Sequence, residues 1–122
     1  MCIKYIYKNK TYTERTDNMT FTLNTPMFDF VVLSVIANGD AYGYQISQII
    51  KKAANTKDST LYPILKRLQD NRYVETYDQQ FQGRNRKYYS ITDTGREHHQ
   101  ELLKEWDTYK TTIDEIVKGG IS

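Results

Sequence analysis

Residues 58–71 read DSTLYPILKRLQDN and carry the clearest structural pattern of the sequence. Its apolar side chains recur three or four positions apart, the spacing that places them on one face of an α-helix. Pro63 lies in or near the first turn, where its missing N–H is tolerated. We therefore predict a helix from Asp58 to Asn71 with one buried face and one exposed face. The buried face comprises Leu61, Ile64, Leu65 and Leu68, and the outer face comprises Ser59, Thr60, Tyr62, Lys66 and Arg67.

Two further helices are predicted upstream of this one. The first runs from Thr25 to Asn38 and the second from Tyr44 to Asn55. A short break at residues 55–57 separates the second helix from the third, so these two form a helix-turn-helix. In such a pair the second helix enters the major groove of DNA, whose width admits a helix. The five outer-face residues named above are therefore the candidate DNA contacts on this helix, and the planar fork of Arg67 suits two parallel hydrogen bonds.

A β-hairpin is predicted downstream of the third helix. β-Branched and aromatic residues indicate strands at 74–77 and 87–91, separated by a polar loop at 78–86 that contains a glycine. Three cations, Arg84, Arg86 and Lys87, lie at or near this long tip, where they would straddle phosphates or enter the minor groove. The order of elements is that of a winged helix-turn-helix, so we predict an α+β, mainly helical fold.

The final predicted helix begins after Thr92, which is placed to cap it. Side chains along this helix are spaced alternately by three and four residues, as in the heptad seam of a coiled coil. Residues 24–92 offer too little surface to cover the seam fully, so we predict that a second copy of the chain covers the rest and that the protein is a homodimer. The seam comprises His99, Leu102, Trp106, Tyr109, Ile113 and Ile116.

Trp106 lies in the middle of this seam and has two compatible interpretations. In the first it only packs within the dimer interface. In the second it forms one wall of a pocket for a small planar aromatic ligand. The predicted interface and candidate ligand residues are Leu102, Trp106, Tyr109, Ile113 and Ile116.

The length of 122 residues suits a single domain with appendages. We expect a flexible arm at 1–23, a DNA-binding domain at 24–92 and a dimerisation helix at 93–120. The net charge of +2 is unevenly distributed, because residues 24–92 carry nine basic and six acidic residues whereas residues 93–122 carry four and seven. A basic middle and an acidic end favour nucleic-acid binding by the middle of the chain.

Several classes of protein are not expected from this sequence. No apolar stretch approaches the roughly 18 residues of a membrane-spanning helix. Cys2 is the single cysteine, and no Cys/His cluster has zinc-ligand spacing. Catalytic groupings and phosphate-cradling glycine loops are also missing. We therefore expect a cytoplasmic protein that is not an enzyme and has no cofactor, metal or membrane partner.

The stretch from Phe30 to Trp106 resembles the PadR family of bacterial transcriptional regulators. The matching segments are GDAYGYQI at 39–46, STLYPILKRL at 59–68 and GRNRKYY at 83–89, followed by Ile91, Thr92 and Gly95. A single C-terminal helix is similar to the compact branch of that family. The resemblance implies a winged-helix dimer that binds operator DNA. In the compact branch it also implies that a tryptophan near the position of Trp106 lies at the dimer interface and stacks on flat aromatic drugs.

The leading hypothesis is a dimeric repressor that a small aromatic ligand or another signal releases from operator DNA. The alternative is a winged-helix module for protein–protein contact without DNA binding. Charge placement discriminates between the two, because the alternative gains if Lys66, Arg67, Arg84 and Arg86 do not share one face.

Overall fold

The computed structural model describes residues 21–54 and 56–120. Within them the elements are helix α1 (Thr25–Ala37), strand β1 (Ala41–Tyr42), helix α2 (Gly43–Ile50), helix α3 (Asp58–Asp70), strands β2 (Val74–Phe81) and β3 (Arg84–Ile91), and helix α4 (Asp93–Val117). The predicted fold class, a mainly helical winged helix-turn-helix with a long terminal helix, is confirmed. None of these helices is long and apolar enough to cross a membrane. Residues 1–20 of the predicted arm lie outside the described residues.

Helix α1 is the element around which the core assembles. The side chain of Asn24 caps it by accepting a 3.0 Å hydrogen bond from the Met27 N–H, and Pro26 lies in its first turn. The buried side chains of α1 pack against those of α2, α3 and the sheet, as the apolar spacing predicts for α3. This core comprises Phe28, Val32, Leu33, Ile36, Ala41, Ile46, Ile50, Leu61, Ile64, Leu65, Leu68, Val74, Tyr89 and Ile91.

Helix α2 is shorter than predicted. It ends at Ile50, and residues 51–54 form turns, so the predicted continuation to Asn55 is wrong over this stretch. Ala54 is buried and its N–H bonds to the Ile50 carbonyl at 3.0 Å. By contrast the apolar Ile49 is 44% exposed. After Ile50 the chain leaves the helical path. This change of direction places Ala54 against the core and leads the chain towards the start of α3.

The hairpin is a long two-stranded ribbon and not two short strands with a long loop. Strand β3 pairs antiparallel with both β1 and β2, and the β2–β3 ladder continues out to Phe81 opposite Arg84. Gln82 and Gly83 connect the strands with φ angles of 52° and 78°. Positive φ at both central residues is typical of a type I′ turn, whose twist matches that of the strands. The predicted nine-residue loop at 78–86 is therefore wrong, because the ladder extends through most of it.

The start of helix α4 packs tightly on the turn that follows α3. The Thr92 hydroxyl accepts from the Gly95 N–H at 2.9 Å and donates to the Arg72 carbonyl at 2.7 Å. The Thr92 N–H bonds to the Tyr73 carbonyl at 3.0 Å. A Cβ at Gly95 would lie 2.0 Å from that same carbonyl oxygen. This close approach fixes the direction in which α4 leaves the winged domain.

Gly95→Ala is expected to lower the free energy of unfolding by about 3 kcal/mol, because the added methyl forces apart two backbone segments. Urea denaturation followed by circular dichroism measures the loss. Gly39→Ala is the control, since a Cβ there would meet nothing within 4 Å. Equal stability of the two variants would contradict the close packing at Gly95.

Candidate nucleic-acid interface

The outer face of helix α3 is open to solvent. Ser59, Thr60, Tyr62 and Lys66 are all exposed, as predicted. The Tyr62 ring lies over Gly43, where a Cβ would be 3.5 Å from the ring. Among the described residues, Lys66 pairs only with Asp70 on the same helix, at 3.5 Å, and 77% of its side chain is exposed to an incoming anion. The exposed face of this single helix therefore presents three hydroxyls and one cation.

The turn of the helix-turn-helix is held by a polar contact at the start of α3. The buried Ser47 hydroxyl donates to a carboxylate oxygen of Asp58 at 2.6 Å, and the Lys51 ammonium lies 3.6 Å from the same oxygen. The Ser47 hydrogen bond, followed by the Lys51 charge, lowers the pKa of Asp58 below its ordinary value. Asp58 also lies in the first turn of α3, where a negative charge complements the helix dipole. These contacts set the angle between α2 and α3.

The Arg67 guanidinium is paired with Asp29 within the chain, whereas the sequence predicts a contact with DNA. Its Nη2 and Nε donate to the two carboxylate oxygens of Asp29 on α1, at 2.6 Å and 3.0 Å. The hydrogen bonds from Arg67 to Asp29 raise the pKa of the guanidinium. Asp29 therefore occupies, within the chain, the bidentate fork that the sequence predicts for DNA, while 41% of the Arg67 side chain remains exposed. A contact of Arg67 with DNA stays a prediction.

The ribbon carries its cations on two faces, because successive side chains of a strand alternate. Arg84 and Arg86 lie on one face and Lys87 on the other. The Arg86 guanidinium carbon lies 4.5 Å from the centroid of the Tyr42 ring and 4.6 Å from that of the Phe81 ring. The two rings hold the guanidinium in place through cation–π contacts and leave its N–H edge for an anion.

Lys87 lies on the ribbon face that is turned towards the helices. Its ammonium nitrogen is 5.9 Å from the centroid of the buried Tyr89 ring. Burial raises the pKa of Tyr89, and the nearby Tyr62 hydroxyl adds to the shift. Lys87 and Tyr62 therefore approach Tyr89 from the ribbon and from α3 respectively, which brings these two predicted contacts to the same side of the molecule.

An aromatic stack supports the opposite ribbon face. The Tyr88 ring lies between Tyr77, stacked at a centroid distance of 5.5 Å, and Tyr42, edge-on at 5.4 Å. The Tyr77 hydroxyl donates to Asp40 at 2.7 Å. Tyr77 and Phe81 are site residues that the sequence analysis did not identify, although their four-residue spacing within one strand places them on the same face. They stiffen the platform on which Arg86 lies.

Helix α4 divides the predicted heptad seam into two parts. Its first half packs on α1, where the Phe30 ring lies 5.7 Å from His99 and 6.2 Å from Trp106 between centroids. Its second half is exposed, with Tyr109 at 57% and Ile113 at 43%. Residues 24–92 therefore cover the first half of the seam and leave its second half exposed, which agrees with the prediction that they cannot cover it fully.

A groove of about 290 Å³ runs between the start of α1 and the middle of α4. Phe30 and Trp106 form its aromatic walls, and Leu102 and Tyr109 extend it along α4. Its full lining is Asn24, Pro26, Met27, Phe30, Leu102, Glu105, Trp106 and Tyr109. The groove opens onto the exposed half of the seam, so the predicted ligand and interface residues form one continuous surface.

The sequence matches the transcriptional regulator PadR-like family over residues 32–101, more than half of the chain. The chain belongs to the PadR-like family. The resemblance noted in the sequence is thereby confirmed, and with it the prediction that the protein is a regulator and not an enzyme. The described part of this PadR-like chain also contains no cluster of three or more residues able to hold a metal ion.

Solved structures similar to this PadR-like regulator share its fold. The protein smu.1704 from Streptococcus mutans UA159 is 48% identical with a TM-score of 0.81, covering 85% of this chain and 98% of that one. A PadR family transcription regulator from Clostridium difficile R20291 is 27% identical with a TM-score of 0.68, covering 74% and 97%. Bacillus subtilis PadR, solved in complex with operator DNA, is 25% identical with a TM-score of 0.56, covering 62% and 45%.

His99 is a polar side chain on the seam of this PadR-like protein. The Ser34 hydroxyl donates to the Phe30 carbonyl at 2.7 Å, so at 2.9 Å it accepts from His99 Nε2. Burial of the imidazole lowers the pKa of His99, and the charges of Arg96 and His98 lower it further. The folded protein therefore binds a proton at His99 less readily than the unfolded chain does.

Acidification is expected to destabilise the protein through His99. The neutral form of His99 contributes to the free energy of unfolding. This contribution is fully present above the unfolded-state pKa of 6.5 and is lost as the pH falls through the lower folded-state pKa. The melting temperature should therefore drop between about pH 7.5 and about pH 5.5, and drop less for His99→Asn, which cannot titrate. An equal drop in both proteins would assign the pH dependence to other groups.

Proposed function

We propose that this regulator binds operator DNA as a homodimer, with α3 in the major groove and the β2–β3 ribbon against the adjacent backbone or minor groove. The observation that carries the proposal is the exposed face of α3, flanked by a ribbon that bears three cations. The operator complex of the 25% identical Bacillus subtilis PadR supports the same class of ligand. Binding to chromosomal operators places the proposed activity in the cytoplasm.

The proposed contacts divide by chemistry. On α3, Ser59, Thr60 and Tyr62 offer hydroxyls to phosphates or base edges, and Lys66 offers a charge to a phosphate. On the ribbon, Arg84, Arg86 and Lys87 neutralise phosphates, and an arginine suits a narrow minor groove. Most of the affinity then comes from backbone contacts and falls with rising salt.

The proposed dimer forms through the exposed half of α4. Tyr109, Ile113 and Ile116 are between 43% and 57% exposed in the protomer, which is costly for apolar side chains in water. A two-fold axis along this helix covers them and duplicates α3. Two recognition helices related in this way bind half-sites centred about 10 base pairs apart, or a multiple of that distance.

The proposed regulation acts through the groove between Phe30 and Trp106. Its lining is largely apolar, and its two aromatic rings suit a small planar aromatic ligand. A ligand there lies beside the proposed dimer interface, where it changes the separation of the two recognition helices and releases the operator. This makes the regulator a repressor relieved by its ligand.

A protein–protein module without DNA binding is the second candidate. One observation favours it: Arg67 is paired within the chain, and Arg84 and Arg86 lie on the ribbon face opposite Lys87, so the cations do not form one cluster. The family assignment weighs against it, since the matched family is one of transcriptional regulators. Because the ribbon is a single layer of two strands, side chains on both of its faces are also able to contact phosphates.

The proposed function is tested by mapping the DNA bound across the chromosome, followed by fluorescence anisotropy on duplexes of the mapped sites. Preference for a palindromic site over a shuffled duplex of equal length supports an operator-binding dimer. Equal affinity for both, or none for either at low salt, contradicts it. Titration of Trp106 emission with planar aromatic compounds tests the ligand proposal, and a compound that quenches it must also weaken operator binding.

A further inference from the structure

The bidentate pair between Arg67 and Asp29 joins the recognition helix to α1. Its two hydrogen bonds measure 2.6 Å and 3.0 Å, and 41% of the Arg67 side chain and 26% of the Asp29 side chain are exposed. Several other ion pairs of the described chain join residues three or four positions apart on one helix. The Arg67–Asp29 pair is thus a directional contact between two helices that otherwise meet through apolar packing.

Such a pair restricts how α3 is oriented on α1. Apolar contacts between helices are non-directional and tolerate small rotations. A planar guanidinium that donates two parallel hydrogen bonds to one carboxylate tolerates them poorly, because rotation breaks at least one bond. The partial shielding of both groups strengthens their attraction relative to a fully exposed pair. Rotation of α3 about its axis would turn the hydroxyls of its outer face away from DNA.

The other end of this connection lies in the groove of α4. Phe30 follows Asp29 directly on α1 and lies 6.2 Å from Trp106 between ring centroids. Helix α1 therefore carries the anchor of the recognition helix and a wall of the groove on neighbouring residues. A displacement of α1 at Phe30 therefore also moves the neighbouring Asp29, and through the Asp29–Arg67 ion pair it moves α3.

We propose that Arg67 and Asp29 are positioning residues that fix the orientation of the recognition helix on α1 and thereby couple it to the groove at Trp106. The inference rests on the proposed DNA-binding function and adds its route of regulation. It assigns to the arginine of α3 a role through Asp29, without contact to DNA.

The test compares Asp29→Asn with Asp70→Asn by measuring the affinity for operator and for shuffled duplex. Both variants remove one carboxylate that pairs with a cation of α3, so their effects on the general electrostatic attraction are matched. Asp29→Asn is expected to lower the ratio of operator to shuffled affinity about tenfold, a loss of roughly 1.4 kcal/mol of specificity. Asp70→Asn should leave the ratio unchanged within about twofold. Equal ratios in both variants would overturn the positioning role.

Arg67→Lys separates positioning from direct contact. It keeps the charge and loses the fork, so specificity should fall while the salt dependence of binding stays as in the wild type. A reduced salt dependence in Arg67→Met, compared with Lys66→Met as a known exposed cation, would instead make Arg67 a DNA contact and overturn the proposal. Exchange of the charges in Asp29→Arg with Arg67→Asp should restore part of the lost specificity.

Coupling to the groove is tested with a double-mutant cycle of Trp106→Leu and Arg67→Lys. Distant residues without a shared link change the affinity ratio additively within about twofold, so a larger departure supports the coupling and additivity overturns it. Amide hydrogen exchange of α3 without DNA provides an independent measurement, because faster exchange in Asp29→Asn than in Asp70→Asn supports the anchor even if no operator exists. Absence of wild-type binding to any duplex would refute the proposed function, and equal exchange would refute the anchor.

Discussion

Replacing Arg84 and Arg86 together by alanine is expected to weaken operator binding of the dimer by about a thousandfold. The two substitutions remove four cations from the complex, and each charge-assisted contact to a phosphate contributes roughly 1 kcal/mol at an exposed site. The total of about 4 kcal/mol corresponds to that change in Kd. Since each neutralised phosphate contributes about 0.9 to the slope of log K against log salt, the slope should fall by between about 3 and 4.

The measurement is anisotropy of a labelled operator duplex at several salt concentrations. The matched control is Lys104→Ala with Lys118→Ala, which makes the same change in net charge at an exposed position of α4 and at the exposed residue that follows it. The control should retain nearly the wild-type slope. If both double variants lose slope equally, the effect comes from overall charge and the ribbon is not a DNA contact.

The two arginines should not contribute equally. Arg86 is held between Tyr42 and Phe81, at 4.5 Å and 4.6 Å from their ring centroids, whereas Arg84 is exposed beside the turn. A guanidinium already fixed in place loses less side-chain entropy when it binds a phosphate. We therefore expect the larger share of the loss from Arg86→Ala.

The sequence carries enough information to predict the helix-turn-helix but not the shape of the ribbon. Apolar spacing located α3 to within one residue, because Leu61, Ile64, Leu65 and Leu68 must share a face whatever their partners are. The predicted strands are too short because the segments DQQ at 78–80 and RNR at 84–86 are poor strand formers on their own. Their pairing is favoured by the turn at Gln82 and Gly83, whose positive φ angles let the ladder continue.

Partners that are distant in sequence account for most of the remaining differences. Arg67 looked available because its acceptor, Asp29, lies 38 residues away on another helix, and spacing along one helix contains no information about that contact. The spacing of the seam also does not indicate which half is covered, since the angle at which α4 meets Phe30 depends on the packing of Gly95 on Tyr73. Local periodicity predicts which face is apolar and leaves open what covers it.

Ile113→Asp is expected to leave the protomer folded and to prevent its dimerisation at micromolar concentration. Ile113 is 43% exposed and lies on the half of α4 beyond the contacts with α1, so its replacement costs the protomer little. In a two-fold interface the change occurs twice, and each copy loses about 2 kcal/mol of apolar burial. Burying an unpaired carboxylate adds to that loss, so the dimer dissociation constant should rise by more than a thousandfold.

Sedimentation equilibrium measures the dissociation constant, and urea denaturation checks that the protomer remains folded. Thr108→Asp is the matched control, because it adds the same charge to an exposed position about 140° around the helix from Ile113. The DNA result then follows from the dimer result: a protomer that binds one half-site alone loses the gain in effective concentration that links two half-sites. Ile113→Asp should therefore lower operator affinity without changing the affinity for an isolated half-site. A dimer that survives Ile113→Asp would place the two-fold axis elsewhere and leave the exposed half of α4 without its proposed partner.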